Sequence, residues 1–240
     1  IGNPPYSIGQ KSANDNAQNQ AYEHLDSRIT ETYVAQSEAG LNKSTYDLYI
    51  KAFRWASDKL ASNKEGGVIG FISNGAWLDG NANDGFRKCL EKEFSKIYVL
   101  NLRGNQRTSG ELSRKEGGKI FGSGSRTPIS ITILVKKLSQ LQDSKATIYY
   151  HDIGDYLTRE QKLSMVKKFN SIQGKTLDWT VLSPNEHGDW ISMRNEGFNE
   201  FISLAPEKKF MANAKSMFIL NGPAVATGRD SWVYGFSSQK

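Results

Sequence analysis

The chain has 240 residues, 38% hydrophobic and 11% aromatic, enough for one large domain, or one and a half small ones, around a real core. No apolar run approaches a transmembrane span and no signal-peptide pattern opens the chain; with Cys89 as the single cysteine there is no disulfide framework and no cysteine metal cage, which together fit a cytoplasmic protein in a reducing compartment. A net charge of +6 suits a polyanionic partner without requiring one.

The chain opens on Asn3-Pro4-Pro5-Tyr6, a carboxamide, two prolines and an aromatic ring in one short turn. Both prolines have a fixed φ and lack N–H groups, so the turn is stiff and the carbonyls around it stay free to accept. An exocyclic amine on a flat ring needs two acceptors for its hydrogens and a π-face for the ring. The Asn3 side-chain oxygen and the Pro4 carbonyl can serve as acceptors, and Tyr6 as the platform. Holding both hydrogens drives the amine nitrogen toward sp³ geometry and frees its lone pair to attack an electrophilic methyl group. The plain alternative is a proline-rich turn capped by Asn with a surface Tyr. The missing initiator methionine, with this motif at the very start, predicts a piece of a longer polypeptide.

Residues 7–45 are polar and read as an active-site loop or lid followed by a short helix near Tyr22–Ser37. From Tyr46 the apolar positions Leu48, Ile50, Phe53, Trp55-Ala56 and Leu60 repeat at helical spacing until Gly66-Gly67. Val68–Ile72 has the look of a buried parallel strand. A helix over Asp84–Phe94 leads to a second strand, Lys96–Leu102. A Gly/Ser/Arg/Lys loop from Arg103 to Thr127 then enters a third strand, Pro128–Lys136. This order predicts an open α/β sheet covered on its faces. Beyond Lys137 the expected elements are a strand at Ile148–Tyr150, a helix over Arg159–Phe169, a strand at Trp179–Leu182 and a strand-like Trp232–Phe236.

Arg103, Arg107, Arg114, Lys115, Lys119 and Arg126 crowd the long loop, where they could hold phosphates on either side of an extruded base; a solvated basic loop is the equal alternative. Gly118-Lys119 is not a P-loop, because Ser113 and Ile120 stand where glycine and Ser or Thr are required. Gly122-Ser123-Gly124 is not a dinucleotide fingerprint either, since Thr127 replaces the third glycine. His151-Asp152 and Asp155 match no zinc spacing and read as a structural turn. His24 and His187 stand alone and read as loop residues, and Trp77 reads as core or lid packing behind Asn74. Gly2 lets the backbone approach closely near the turn or simply serves it.

Together these segments resemble an adenine-specific DNA methyltransferase of the amino-methylating kind. Asn3-Pro4-Pro5-Tyr6 is similar to that family's catalytic motif, and Ile120-Phe121 before Ile129–Val135 looks like its last catalytic-domain motif, in which Phe121 covers the second face of a flipped base. A narrower resemblance, to the methyltransferase portion of type ISP restriction–modification enzymes, runs through Asn14-Asp15-Asn16, Asn74–Asp79, Asn101–Asn105, Gly117–Pro128, Tyr150–Leu157 and Thr227–Trp232. In that family one polypeptide carries nuclease, helicase-like ATPase, methyltransferase and target-recognition domains.

The resemblance implies the C-terminal part of a Rossmann-like methyltransferase sheet followed by a smaller α+β extension, with residues 1–137 catalytic and 138–240 leading toward target recognition. It implies S-adenosyl-L-methionine as cofactor and double-stranded DNA and the upstream half of the same polypeptide as partners, with no membrane and no metal. It gives Asn3, Pro4, Pro5 and Tyr6 the catalytic roles, Tyr6 and Phe121 the base stacking, and Asn3 the share of the cofactor site on this chain. The family's glycine-rich cofactor loop and ribose-gripping acid are absent from this sequence, so residues 1–240 alone are expected to be inactive. Two rivals stay open, a protein glutamine methyltransferase with the same four-residue motif and a non-catalytic DNA-binding scaffold.

Overall fold

The computed structural model describes residues 1–6, 21–39, 43–122, 125–137, 145–195, 197, 200–202, 204 and 216–218. The lid expected from residue 7, the Asn14-Asp15-Asn16 segment, Thr227–Trp232 and the strand expected at Trp232–Phe236 fall outside them. Two compact units are present, Ile1–Met193 and Arg194–Lys240. Most described residues belong to the first.

In chain order the first unit contains helix α1 (Glu23–Ile29) continued by a π-helical turn over Thr30–Val34, helix α2 (Leu48–Ala61), strand β1 (Gly67–Asn74), helix α3 (Asp84–Glu93), strand β2 (Lys96–Arg103), helix α4 (Gly110–Glu116), strand β3 (Ile129–Lys136), strand β4 (Thr147–Asp152), helix α5 (Arg159–Phe169) and strand β5 (Thr180–Leu182). The expected α/β architecture is present. Helix α4 interrupts what the sequence reads as one long loop; Gly110 and Gly117 at its two ends, both with positive φ, hide it from pattern reading.

The sheet order is β1-β3-β2-β4-β5. Strand β3 lies antiparallel between β1 and β2, β4 runs parallel to β2, and β5 closes the edge antiparallel to β4. Strand β1, read from sequence as a parallel strand, is therefore antiparallel to its ladder partner. Its parallel neighbour is Gly2, whose N–H donates to the Gly70 carbonyl (2.9 Å) and whose carbonyl accepts from Ile72 N–H (3.1 Å). A Cβ on Gly2 would stand 2.7 Å from the Phe71 ring, so any side chain here would force that ring to move. Strand β4, expected to begin the extension after residue 137, is hydrogen-bonded into the same sheet.

Successive strand residues alternate between faces. One face presents Ile69, Phe71, Ile97, Val99 and Leu134 to α1, α2 and α3, in a core that also holds Tyr33, Phe53, Trp77, Phe86 and Trp190. These rings meet mostly edge-on, with centroids 4.8–6.0 Å apart, the geometry that aligns ring quadrupoles. Trp77 is fully buried, the core role expected of it, whereas Trp55 points away from the core and is 58% exposed. Helix α2 instead buries Tyr49, Ile50, Phe53 and Ser57, a stripe at i, i+1, i+4 and i+8. The opposite sheet face meets α5 around Leu100, Leu102, Ile120, Ile129, Ile153 and Phe169. An open apolar cavity of about 390 Å³, lined by Tyr98, Ile133, Val166 and Trp179 among others, lies between α5 and this face. Strand β1 exposes Val68 and Ile72 on the same face, so the expected burial on both faces is found for only part of the sheet.

Cys89 lies on the buried side of α3, and burial pushes its thiol up to about 12. Only a thiolate reacts quickly. A disulfide reagent at pH 8 is therefore expected to label the native chain at least about 100-fold more slowly than the unfolded one; equal rates would show that α3 does not seal this side of the core.

Candidate active site

The turn leaves the Gly2 bridge and runs toward the carboxyl end of β1, where open α/β sheets bind ligands. Pro4 is buried, Asn3 and Pro5 are exposed and Tyr6 is half-buried. The Tyr6 hydroxyl donates to Asn3 Oδ1, which folds the turn back on itself. Burial raises the Tyr6 phenol above its ordinary range, with the Asn3 bond opposing, so it remains a neutral donor near neutral pH.

The turn is tied to the sheet by Asn74, which the sequence places at a strand's carboxyl end, where open α/β sheets bind ligands, without showing what it holds. Asn74, the last residue of β1, is wholly buried. Its Nδ2 donates to the Tyr6 carbonyl (3.2 Å) while its Oδ1 accepts from Ala76 N–H (2.9 Å). One carboxamide thereby joins the turn, β1 and the segment after it. Next to Asn74, Gly75 N–H donates to the Pro128 carbonyl (2.8 Å), which brings the entrance of β3 to the same place.

Phe121 comes from the segment between α4 and β3, and its ring stacks on Tyr6 with centroids 5.1 Å apart and planes 30° from parallel. The two side chains named from sequence 115 residues apart thus meet. They touch one another directly: inserting a flat base between them requires about 6.8 Å, two stacking layers of about 3.4 Å, so the rings must part by nearly 2 Å.

The six cations separate into different situations. The Arg103 guanidinium bonds Asp152 Oδ1 (2.7 Å) and Asp155, and its backbone N–H donates to Asn101 Oδ1 at a positive φ of 54°. It closes the end of β2 against the end of β4 and the turn that follows it. Arg126 donates to the Gln106 carbonyl (2.8 Å). Arg114 pairs with Glu111 at 2.7 Å and Lys115 with Asp155 at 4.0 Å, both in water, where such pairs contribute at most about 1 kcal/mol and exchange readily for a phosphate. Arg107 and Lys119 make no side-chain ion pair among the described residues. The geometry therefore leaves Arg107, Arg114, Lys115 and Lys119 available to an anion and commits Arg103 to the fold.

Among the remaining titratable residues singled out from sequence, His151 and Asp152, read as part of a turn, are instead the last residues of strand β4, and His24, read as a loop residue, lies on helix α1. His151 Nδ1 lies 2.6 Å from the Asp178 carbonyl, and its ring rests edge-on against Phe169. Asp152 accepts from Arg103 and from Gly154 N–H (2.9 Å). His187 pairs with Glu38 at 2.7 Å, and His24 is exposed on α1. Among the described residues no group of three His, Cys, Asp or Glu is placed to hold a metal ion, and no helix is long and apolar enough to cross a membrane.

Sequence reading missed a further pair. Lys162, fully buried on α5, donates to the carbonyls of Glu116 (2.7 Å) and Gly118 (2.9 Å), and Arg159 Nε donates to the carbonyl of Ile120 (2.7 Å). Burial lowers the Lys162 ammonium to about 8. The only signal in the sequence is that Lys162 falls on the inward stripe of α5 between Thr158 and Phe169, which a helical projection could reveal.

No family model and no curated protein matches the chain. Solved structures do. A nuclease-deletion mutant of the type ISP restriction–modification enzyme LlaGI, in complex with a DNA substrate mimic, is 48% identical over 89% of this chain, with a TM-score of 0.75. The ATP-dependent type ISP enzyme LlaBIII bound to DNA is 41% identical over 96%, with a TM-score of 0.84. A DrdV–DNA complex is 33% identical over 96%, with a TM-score of 0.79. This chain spans 16%, 15% and 22% of those three chains. Over nearly all its length it is similar to one segment of much larger restriction–modification enzymes.

Proposed function

We propose that this chain carries the base-binding part of a DNA adenine-N6 methyltransferase belonging to a restriction–modification system. The observation that carries the reading is the Asn3-Pro4-Pro5-Tyr6 turn at the carboxyl end of the sheet with the Phe121 ring laid against Tyr6. Similarity to DNA-bound type ISP enzymes supports DNA as the partner.

The target adenine must leave the duplex, at a cost of a few kcal/mol, before any residue here can reach its amine. Tyr6 and Phe121 part and take the base between them, which returns about 1–3 kcal/mol of stacking per ring. Asn3 Oδ1, released from the Tyr6 hydroxyl, accepts one amine hydrogen and the Pro4 carbonyl accepts the other. The nitrogen lone pair then lies out of the ring plane, free to form a bond to a methyl carbon, and the amine proton shed as that bond forms passes to water. S-adenosyl-L-methionine, when bound, would supply the electrophilic sulfonium methyl, its S–CH3 bond breaking with the electron pair returning to sulfur to leave a neutral thioether. The exposed Asn3 carboxamide at the carboxyl edge of the sheet is the residue of this chain that fits beside it. Arg107, Arg114, Lys115 and Lys119 are suited to the flanking phosphates. Rate enhancement comes from positioning and hydrogen bonding, with no covalent enzyme intermediate.

The test is radiolabel transfer from S-adenosyl-L-methionine by the full-length polypeptide, offered duplex DNA and a protein extract in parallel, followed by nucleoside digestion. Label in N6-methyladenine is expected. Label in protein glutamine overturns the substrate, and salt-dependent duplex binding without any label overturns the activity.

A further inference from the structure

Phe121 covers the base in the methyltransferase reading, on which this inference rests, but that role leaves unexplained what holds the ring in place. Phe121 ends a stretch in which four backbone carbonyls are occupied by side chains. Glu116 and Gly118 accept from Lys162, Gly117 accepts from Gln106 Nε2 (2.9 Å), and Ile120 accepts from Arg159. The backbone at the entrance of α5 holds the same stretch. Gly118 N–H donates to the Leu157 carbonyl (2.8 Å), and a Cβ on Gly117 or Gly118 would stand 2.2 Å from the Leu157 oxygen or 2.5 Å from the Arg159 nitrogen. The capping box at Thr158 and Gln161 fixes the first turn of α5, from which both cations reach.

A lysine usually lies along the surface with its ammonium in water, because burying the charge costs several kcal/mol. Lys162 is fully buried, and its partners are carbonyl oxygens two residues apart in the strip that ends at Phe121. Tyr6, by contrast, is fastened to β1 through Asn74. The two stacked rings therefore hang from separate supports, one from the sheet and one from α5.

We propose that Lys162 and Arg159 are positioning residues that hold Phe121 at the second face of the target base, so that α5 sets the separation of the two rings. A shift of about 1 Å at Phe121 is enough to misplace a bound base, and such misplacement lowers turnover by about 10- to 100-fold.

The experiment is a double-mutant cycle in the full-length polypeptide, with methyl transfer to duplex DNA as one readout and 2-aminopurine at the target position as the other. Arg159→Met removes one exposed donor and leaves the packing of α5 in place; Lys162→Met removes the other with nearly equal volume. Each is expected to lower kcat about tenfold or more and to raise the fluorescence of the extruded 2-aminopurine, because one of its faces is no longer covered. In a Phe121→Ala background the same substitutions are expected to cost less than about twofold, since their effect acts through the ring already removed. Equal losses in both backgrounds would show a general structural role and overturn the inference, as would wild-type fluorescence in Arg159→Met. A wild type that labels no DNA overturns the underlying reading instead.

Discussion

Asn3→Ala in the full-length polypeptide is expected to lower the rate of methyl transfer by about 100- to 1,000-fold without moving the melting temperature. The magnitude is that of removing one preorganised polar group aimed at a reacting centre. The unchanged stability follows from exposure: Asn3 lies at the surface, and its contact here is the Tyr6 hydroxyl. Tyr6→Ala removes a stacking face instead, worth about 1–3 kcal/mol, so kcat/KM is expected to fall about 10- to 100-fold. Because Tyr6 also stacks on Phe121, about 1 kcal/mol of stability goes with it. Tyr6→Phe separates the roles, since it keeps the ring and removes the hydroxyl that occupies Asn3 Oδ1; activity close to wild type is expected. A Tyr6→Phe variant as slow as Tyr6→Ala would mean that the hydroxyl, not the ring, carries the role.

The second large effect concerns stability and pH. Burial lowers Lys162 to about 8, against about 10.4 for a free lysine. Between these values the unfolded chain holds the proton and the native chain has lost it. The unfolded state then binds more protons, so stability rises with pH across that window and the contribution is lost as pH falls through about 8. Relative to Lys162→Met, the wild-type chain is expected to gain about 2–3 kcal/mol between pH 8 and 10, at about 1.4 kcal/mol per pH unit. Taking the difference between the two proteins cancels the tyrosines, whose raised values in the fold act in the opposite direction above pH 10. Denaturant unfolding of both chains at several pH values measures it, and a flat difference would place the ammonium in water.

The fate of the six loop cations shows where sequence reading loses its grip. Arg103, Arg107, Arg114, Lys115, Lys119 and Arg126 look alike as a cluster, since charge and proximity in the chain are all that a sequence displays. Asp152 and Asp155 lie some fifty residues from Arg103 and meet it only because β4 pairs in parallel with β2. Phe121 is singled out by the resemblance and by its place before a strand, and the antiparallel insertion of β3 between β1 and β2 carries the loop's end back to the turn, where the ring meets Tyr6.

The sequence alone determined the groups on offer: a stiff turn from Asn3 to Tyr6 with free acceptors and an aromatic ring, a sheet with helices, and a run of basic residues. Each is local, set by backbone restriction, side-chain type or apolar period within a few residues. Tertiary structure alone decided what holds those groups in place. Asn74 pins the turn, Lys162 and Arg159 pin the Phe121 strip, and Arg103 is taken up by the fold. Those roles rest on hydrogen bonds between residues 39 to 68 positions apart, and a lysine's buried partners are carbonyls that every residue possesses. A backbone oxygen carries no mark in the sequence; only the fold says which ones a side chain will find.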